Sequence, residues 1–302
     1  MDLRRHRPPA SQARRLAVTA ALATAALAAA LAGCAPADQP AGPATPSASG
    51  SGACAKSSLH LVKAGTLTVG TDKPAFDPWF SGNDPTNGKG FESAVAYAVA
   101  RQLGFSQTEV SWTTVPFNSS YAPGKKNFDF DINQVSITDD RKKAVDFSTG
   151  YYTVSQAVVA LKSSKIASAK TVADLAGAKL GAQVGTTSLS SINDVIKPTQ
   201  QPAVFNDTND AKNQLQNKVI DGIVVDLPTA FFLTAAEIEG ATIVGQLPSA
   251  SGTPEQFGLL FEKGNPLVSC VNTAIAALAA SGELATVTDQ WLAASAGAPK
   301  LG

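Results

Sequence analysis

Histidine is nearly absent from this chain of 302 residues: one of the two, His6, lies in an Arg-rich start, and the other, His60, precedes the first predicted strand. Proton transfer near neutral pH most often uses histidine, and no Glu in an apolar pocket stands out to replace it. There is no Ser-His-Asp order, no His/Cys cluster with metal-ligand spacing and no GxxxxGK[ST] phosphate loop. These absences argue against catalysis and against a bound metal or cofactor. An excess of one charge is missing too: 24 basic residues face 24 acidic ones, which leaves no electrostatic footprint for nucleic acid. No coiled-coil pattern or evident interface stripe is present, so the folded part is expected to be a monomer. Cysteine is sparse, with Cys34, Cys54 and Cys270 as the whole set.

The charge balance hides a division. Residues 1–33 hold five arginines against Asp2, and the remainder is mildly acidic, with 19 basic and 23 acidic residues. The Arg-rich start is followed by an Ala/Leu run over 16–32, the length of an export-signal core and short of the roughly 20 apolar residues that span a bilayer. It ends in Leu31-Ala32-Gly33-Cys34, which resembles a bacterial lipobox: 1–33 would be removed, and Cys34 would carry lipid and anchor the chain to the outer face of the cell membrane. A plain transmembrane anchor is the alternative. Residues 34–56 are then the lipidated cysteine and a tether rich in Ala, Pro, Ser and Gly, without apolar periodicity and expected to be disordered. A tether implies a partner at the membrane surface. Export places Cys54 and Cys270 in an oxidising compartment, where a disulfide between them is expected; two separate buried thiols are the alternative.

Beyond the tether the chain reads as alternating strands and helices. Residues 65–72 suit a first strand, followed by a loop carrying Phe76, Trp79 and Phe80. Phe91, Val95, Val99 and Leu103 recur every four residues, the stripe of an amphipathic helix, and 110–115 suits a second strand. Residues 128–135 alternate apolar and polar, which predicts a strand with one face buried. It leads into Ser136-Ile137-Thr138-Asp139-Asp140-Arg141, where a hydroxyl and a guanidinium five residues apart could hold a carboxylate; a solvated turn opening a charged helix is the alternative. Residues 151–161 form a β-rich crossing. Residues 179–184 lead to Gly185-Thr186-Thr187-Ser188, a weak anion-site signal ahead of a helix. A short strand at 204–205, a polar helix over 207–217 and a buried strand over 218–226 closing on Asp226 follow. Helices are predicted from Asp226-Leu227-Pro228, over 267–278 and around Leu284 to Leu292, with a second β-rich crossing near 253–262. Two βαβ sets joined by two crossings imply two lobes, and the cleft between them is the default ligand site.

Several short motifs in one order resemble a known family: Gly70-Thr71-Asp72, Gly90-Phe91-Glu92, Phe128-Asp129, Ser136-Ile137-Thr138 with Arg141, Val145-Asp146-Phe147-Ser148, Tyr151-Tyr152, Gly185-Thr186-Thr187, Asp221 and Asp226-Leu227-Pro228. The family is the extracellular solute-binding proteins of amino-acid ABC transporters, and the resemblance runs from about 65 to 293. It implies an α/β, two-lobed periplasmic-binding-protein fold, each lobe a mainly parallel sheet flanked by helices. Lobe 1 would comprise 57–154 plus 255–302, and lobe 2 155–254, joined by two hinge strands. It also implies a free amino acid as ligand and permease subunits as partners, with no cofactor.

By that resemblance Arg141 forks onto the α-carboxylate, assisted by Ser136 and the N–H groups around Thr186, while Asp226 takes the α-ammonium. Asp72, Phe76, Phe117, Asn133, Gln134, Gln183 and Thr187 complete the expected ligand set. Three departures bear on specificity. Asn133 and Gln134 stand where small residues are usual, Asp131 stands where an aliphatic one is usual, and 118–124 lacks the Leu/Ile helix of relatives. A polar amino acid is the expected ligand. Two other roles stay open at this point: a dehydratase-like enzyme on the same fold, and an amino-acid sensor for a membrane kinase.

Overall fold

The computed structural model describes residues 52–293 and 297–302. The expected signal peptide, Cys34 and the tether up to residue 51 lie outside the described residues.

Chain order alternates as the pattern requires: β1 (Leu67–Thr71), α1 (Phe91–Gln102), β2 (Val110–Thr114), α2 (Phe117–Ser120), β3 (Phe130–Asp131), α3 (Asp139–Lys142) and β4 (Val145–Val154). A second set follows: β5 (Gln156–Leu161), β6 (Leu180–Gln183), α4 (Thr187–Ser191), β7 (Ala203–Phe205), α5 (Thr208–Gln216), β8 (Gly222–Asp226), α6 (Leu227–Phe232) and β9 (Ala241–Gln246). The chain returns through β10 (Glu255–Glu262) to α7 (Leu267–Ala280) and α8 (Glu283–Leu292).

Two five-stranded sheets result, ordered β2-β1-β3-β10-β4 and β7-β6-β8-β5-β9. Both are mixed. β1 pairs in parallel with β2 and β3, whereas β10 runs antiparallel to β3 and β4. β6 pairs in parallel with β7 and β8, and β5 runs antiparallel to β8 and β9. The antiparallel pairs come from the strands that carry the chain between lobes, β4 into β5 across Ser155 and β9 into β10.

Apolar burial explains the elements. Phe91, Val95 and Val99 of α1 are buried in one core with Trp79, Phe80 and Phe257. Trp79 packs edge-on against Phe91, Tyr152 and Phe257, at centroid distances of 6.0, 5.9 and 5.6 Å. α1 starts at Gly90, whose φ is +95° and where a Cβ would lie 2.4 Å from the Trp79 carbonyl oxygen. A side chain there would push the aromatic loop off the helix. In the second lobe Val158, Ile223 and Val224 are fully buried, as expected of central strands packed on both faces. Cys54 and Cys270 are disulfide-bonded across a sequence separation of 216, tying the turn Gly52–Cys54 to α7.

Four expectations need correction. The strand expected over 128–135 is β3 alone, and it has no solvent face: Asp129 is 1% exposed and Asp131 0%. The Asp129 carboxylate is buried in bonded form, accepting from the Val62 and Thr68 main-chain N–H groups at 2.7 and 2.6 Å. Residues 218–221 are a turn rather than strand, with Lys218 at φ +59°, and the Asp221 carboxylate accepts from the Lys179 N–H. The tether expected through residue 56 is already in turns at Gly52–Cys54 and Lys56–Ser58. Finally, residues 299–302, assigned to the first lobe, lie along β9 of the second. The Gln246 N–H donates to the Pro299 carbonyl (2.7 Å), the Leu301 N–H donates to the Gln246 carbonyl (2.9 Å), and Leu301 is buried in the second-lobe core.

Candidate functional site

Strand ends and helix starts from both lobes converge on one cavity of about 70 Å³. From the first lobe Asp72, Phe76, Phe117, Asn133, Gln134 and Ser136 line it. Gln183, Thr186, Thr187 and Asp226 face them from the second. Each sits where a strand gives way: Asp72 follows β1, Ser136 follows β3, Thr186 follows β6, and Asp226 ends β8.

Asp226 is the most perturbed of the lining groups. Its carboxylate accepts from the Gln156 Nε2 at 2.7 Å. Burial, with the Glu255 carboxylate nearby, pushes its pKa up to about 8, against the pull of Gln156 and Arg141. At pH 7 the group is mostly neutral until a cation arrives. Asp72 is half-buried, and its carboxylate accepts from the Lys73 and Phe117 N–H groups at 2.6 and 3.1 Å. Burial raises its pKa as well, and the negative charge of Asp207 adds to the effect.

Arg141, alone of the expected ligand set, is not among the lining residues. The residue is 8% exposed, and its guanidinium reaches both lobes: Nη1 donates to the Ser136 carbonyl at 2.7 Å and Nη2 to the Gly185 carbonyl at 2.9 Å. The rings of Phe117 and Tyr121 lie 5.4 and 4.8 Å from it, a cation–π cradle. Gly185 meets that cradle closely. Its φ is +73°, and a Cβ would fall 2.2 Å from the Tyr121 hydroxyl and 2.4 Å from Asn118 Oδ1. The weak Gly-Thr-Thr signal therefore marks close approach of the lobes, and Thr186 caps α4 by accepting from the Leu189 N–H.

Two further contacts close the cleft. The Trp79 indole Nε1 donates to Thr229 Oγ1 on α6 at 2.9 Å, and the Ser136 and Thr187 hydroxyls lie 3.3 Å apart. The residue reading missed Trp79, Thr229, Tyr121 and Gln156 as functional positions. An indole N–H in a buried aromatic cluster needs a partner, which was the available signal for Trp79. Nothing local marks Thr229. Gln156 opens β5 beside the hinge, and its amide bonds Asp226, Glu255 and Ser188.

The bacterial extracellular solute-binding proteins, family 3, match residues 67–294. The L-cystine-binding protein TcyJ of Escherichia coli (strain K12) is 30% identical over 239 residues, 78% of this chain and 86% of that protein. The ABC transporter arginine-binding protein 1 of the same strain is 31% identical over 206 residues, 67% of this chain and 81% of that one. Among solved structures, an ancestral arginine-binding protein bound to glutamine superposes with a TM-score of 0.63 at 29% identity, covering 76% of this chain and 98% of that one.

Proposed function

The chain belongs to the bacterial extracellular solute-binding proteins of family 3, and from that premise we propose that its cleft takes a polar α-amino acid carrying a second cationic group. It is an amino-acid-binding protein of the ABC-transporter type, a receptor rather than an enzyme. One observation carries the finer reading. Two carboxylates, Asp72 and Asp226, line the cavity, and among the described residues lining it there is no Lys, Arg or His.

Asp226 suits the α-ammonium. Ionising a group with a pKa about one unit above ambient pH costs about 1.4 kcal/mol, less than a buried ammonium–carboxylate contact returns. Asp72 suits a second cation, whether the guanidinium of arginine or the second ammonium of cystine, and these chemistries agree with the names of the relatives. Arg141 uses two of its five N–H groups on main-chain carbonyls. The remaining donors, with the Ser136 hydroxyl, suit a bidentate grip on the α-carboxylate. Because Arg141 and Asp226 come from different lobes, bound ligand favours the closed form. We further propose that the lipid on Cys34 holds the receptor near its permease, with residues 34–51 as the tether.

Calorimetric titration of the wild type and Asp72→Asn with L-arginine, L-cystine and L-glutamine tests the ligand class. The variant is expected to lose at least about tenfold in affinity for L-arginine, as for a buried charge pair, and less than about threefold for L-glutamine. Equal losses for both, or a wild type that prefers L-glutamine, would overturn the reading.

A further inference from the structure

Gln134 is the lining residue whose backbone is least at ease. Its φ is +49°, in the left-handed region that residues other than glycine rarely adopt. Its neighbours in the chain are held by strands: the Ile132 N–H donates to the Gly70 carbonyl, and the Val135 carbonyl accepts from the Gly258 N–H. Gln134 is held instead by a side chain from another element. Glu92, in the first turn of α1 and fully buried, accepts the Gln134 main-chain N–H on Oε1 at 2.7 Å and the Gln134 side-chain Nε2 on Oε2. The Tyr151 hydroxyl on β4 is its third donor. Glu92 does not line the cavity; it works from behind the wall.

We propose that Glu92 is a positioning residue of the binding site, fixing the main chain and the amide of Gln134 in their cavity-facing arrangement, and that it does so as a carboxylate. All three partners present hydrogens. Protonated Glu92 would bring a fourth hydrogen to the cluster, and the main-chain N–H cannot reverse. The Tyr151 hydroxyl can turn to accept a proton carried on Oε1, but a proton on Oε2, which meets the Gln134 amide alone, turns that amide over, presenting its carbonyl where its NH₂ had been, and the polarity of the wall changes. Protonation is within reach of ordinary conditions: burial pushes the Glu92 pKa up to about 7, against the pull of its three hydrogen bonds.

The titratable groups around it are Tyr151 on β4, Asp131 on β3 and Asp226 at the end of β8. Behind Asp131 stand Asp72 and Lys126. Both Asp131 oxygens lack a partner among the described residues, and burial keeps that carboxyl well above its usual range. Asp226, pushed up to about 8, changes charge close to the range in which Glu92 does. The assay has to read Gln134 itself.

The test combines NMR of the ligand-free ¹⁵N-labelled protein with calorimetry, using L-arginine as probe, on the wild type, Glu92→Gln and Tyr151→Phe. The ligand arm rests on the amino-acid reading above; the NMR arm does not. In the wild type the Gln134 amide resonances are expected to titrate with a midpoint near 7, and affinity for L-arginine to fall as pH drops through it. Glu92→Gln should remove the step near 7, leaving at most a step near 8 from Asp226, speed exchange of the Gln134 N–H by about tenfold or more and weaken L-arginine by a similar factor. Tyr151→Phe removes a bond that favours the carboxylate and should move the midpoint up. An amide that does not titrate, or Glu92→Gln values within about threefold of wild type, would overturn the proposal. A weaker affinity with unchanged Gln134 exchange would overturn it too, because the loss would not pass through Gln134. If the wild type binds no amino acid, the ligand reading fails, and titration and exchange alone decide for Glu92. Should Glu92→Gln not fold, an unmoved midpoint in Tyr151→Phe is the contradicting result.

Discussion

Replacing Arg141 by alanine removes the cation proposed to hold the α-carboxylate and, with it, the donors to the Ser136 and Gly185 carbonyls. Hydrogen bonds to charged groups contribute roughly 1.5–3 kcal/mol each, and truncating one partner of a buried charged network costs roughly 2–5 kcal/mol. That range corresponds to an affinity loss of about 30-fold to several thousand-fold. Arg141→Lys keeps the charge but cannot make the planar fork or stack between Phe117 and Tyr121, so it should recover only part of the loss. The two roles of Arg141 separate by assay. Calorimetry with L-arginine reads the sum, while small-angle scattering of the ligand-free variants reads closure, because the bond to Gly185 spans the lobes. Arg141→Ala is expected to be more open than wild type before ligand is added. A loss of about tenfold or less, or a scattering profile identical to wild type, would refute this account of Arg141.

The disulfide closes a loop with a sequence separation of 216, for which the chain-entropy treatment gives roughly 5 kcal/mol. Cys54→Ser with Cys270→Ser should therefore lower the melting temperature by up to about 10–20 °C, and a drop below about 3 °C would contradict a stabilising role. Thr229→Val keeps the size of the α6 side chain but removes the acceptor of the Trp79 indole. It leaves a donor unsatisfied in the closed form, at a cost of about 1–3 kcal/mol, so L-arginine affinity should fall by at least about fivefold; unchanged affinity would show that the contact does not hold the cleft shut.

Elements whose pattern is local were legible in the sequence. The stripe Phe91, Val95, Val99 announces α1, and the run Ile223-Val224-Val225 announces β8, because burial on one stripe or on both faces leaves an unmistakable spacing. β9 carries no such mark: Ala241-Thr242-Ile243-Val244-Gly245-Gln246 neither alternates nor runs continuously apolar, and its pairing with β5 is a tertiary fact. Residues 128–135 misled in the opposite direction. Their alternation is real, but the polar side is buried around carboxylates that bond or face the interior, which no two-residue period can distinguish from solvent. At the cleft, positions at strand ends such as Asp72, Ser136 and Asp226 were visible from the motifs. The partners that hold them were not, since Glu92 to Gln134, Trp79 to Thr229 and Arg141 to Gly185 join residues separated by 42, 150 and 44 positions.

Thermal unfolding of the protein with single amino acids in excess is the most direct test of a receptor whose cleft selects a second cation. A ligand present at about 100 times its dissociation constant stabilises the native state by about 2.7 kcal/mol, a shift of about 5–10 °C for a chain of this size. L-Arginine, L-lysine, L-histidine or L-cystine should produce such a shift, and L-leucine and L-glutamate should not. A shift with L-leucine or L-glutamate and none with the cationic set would contradict the account.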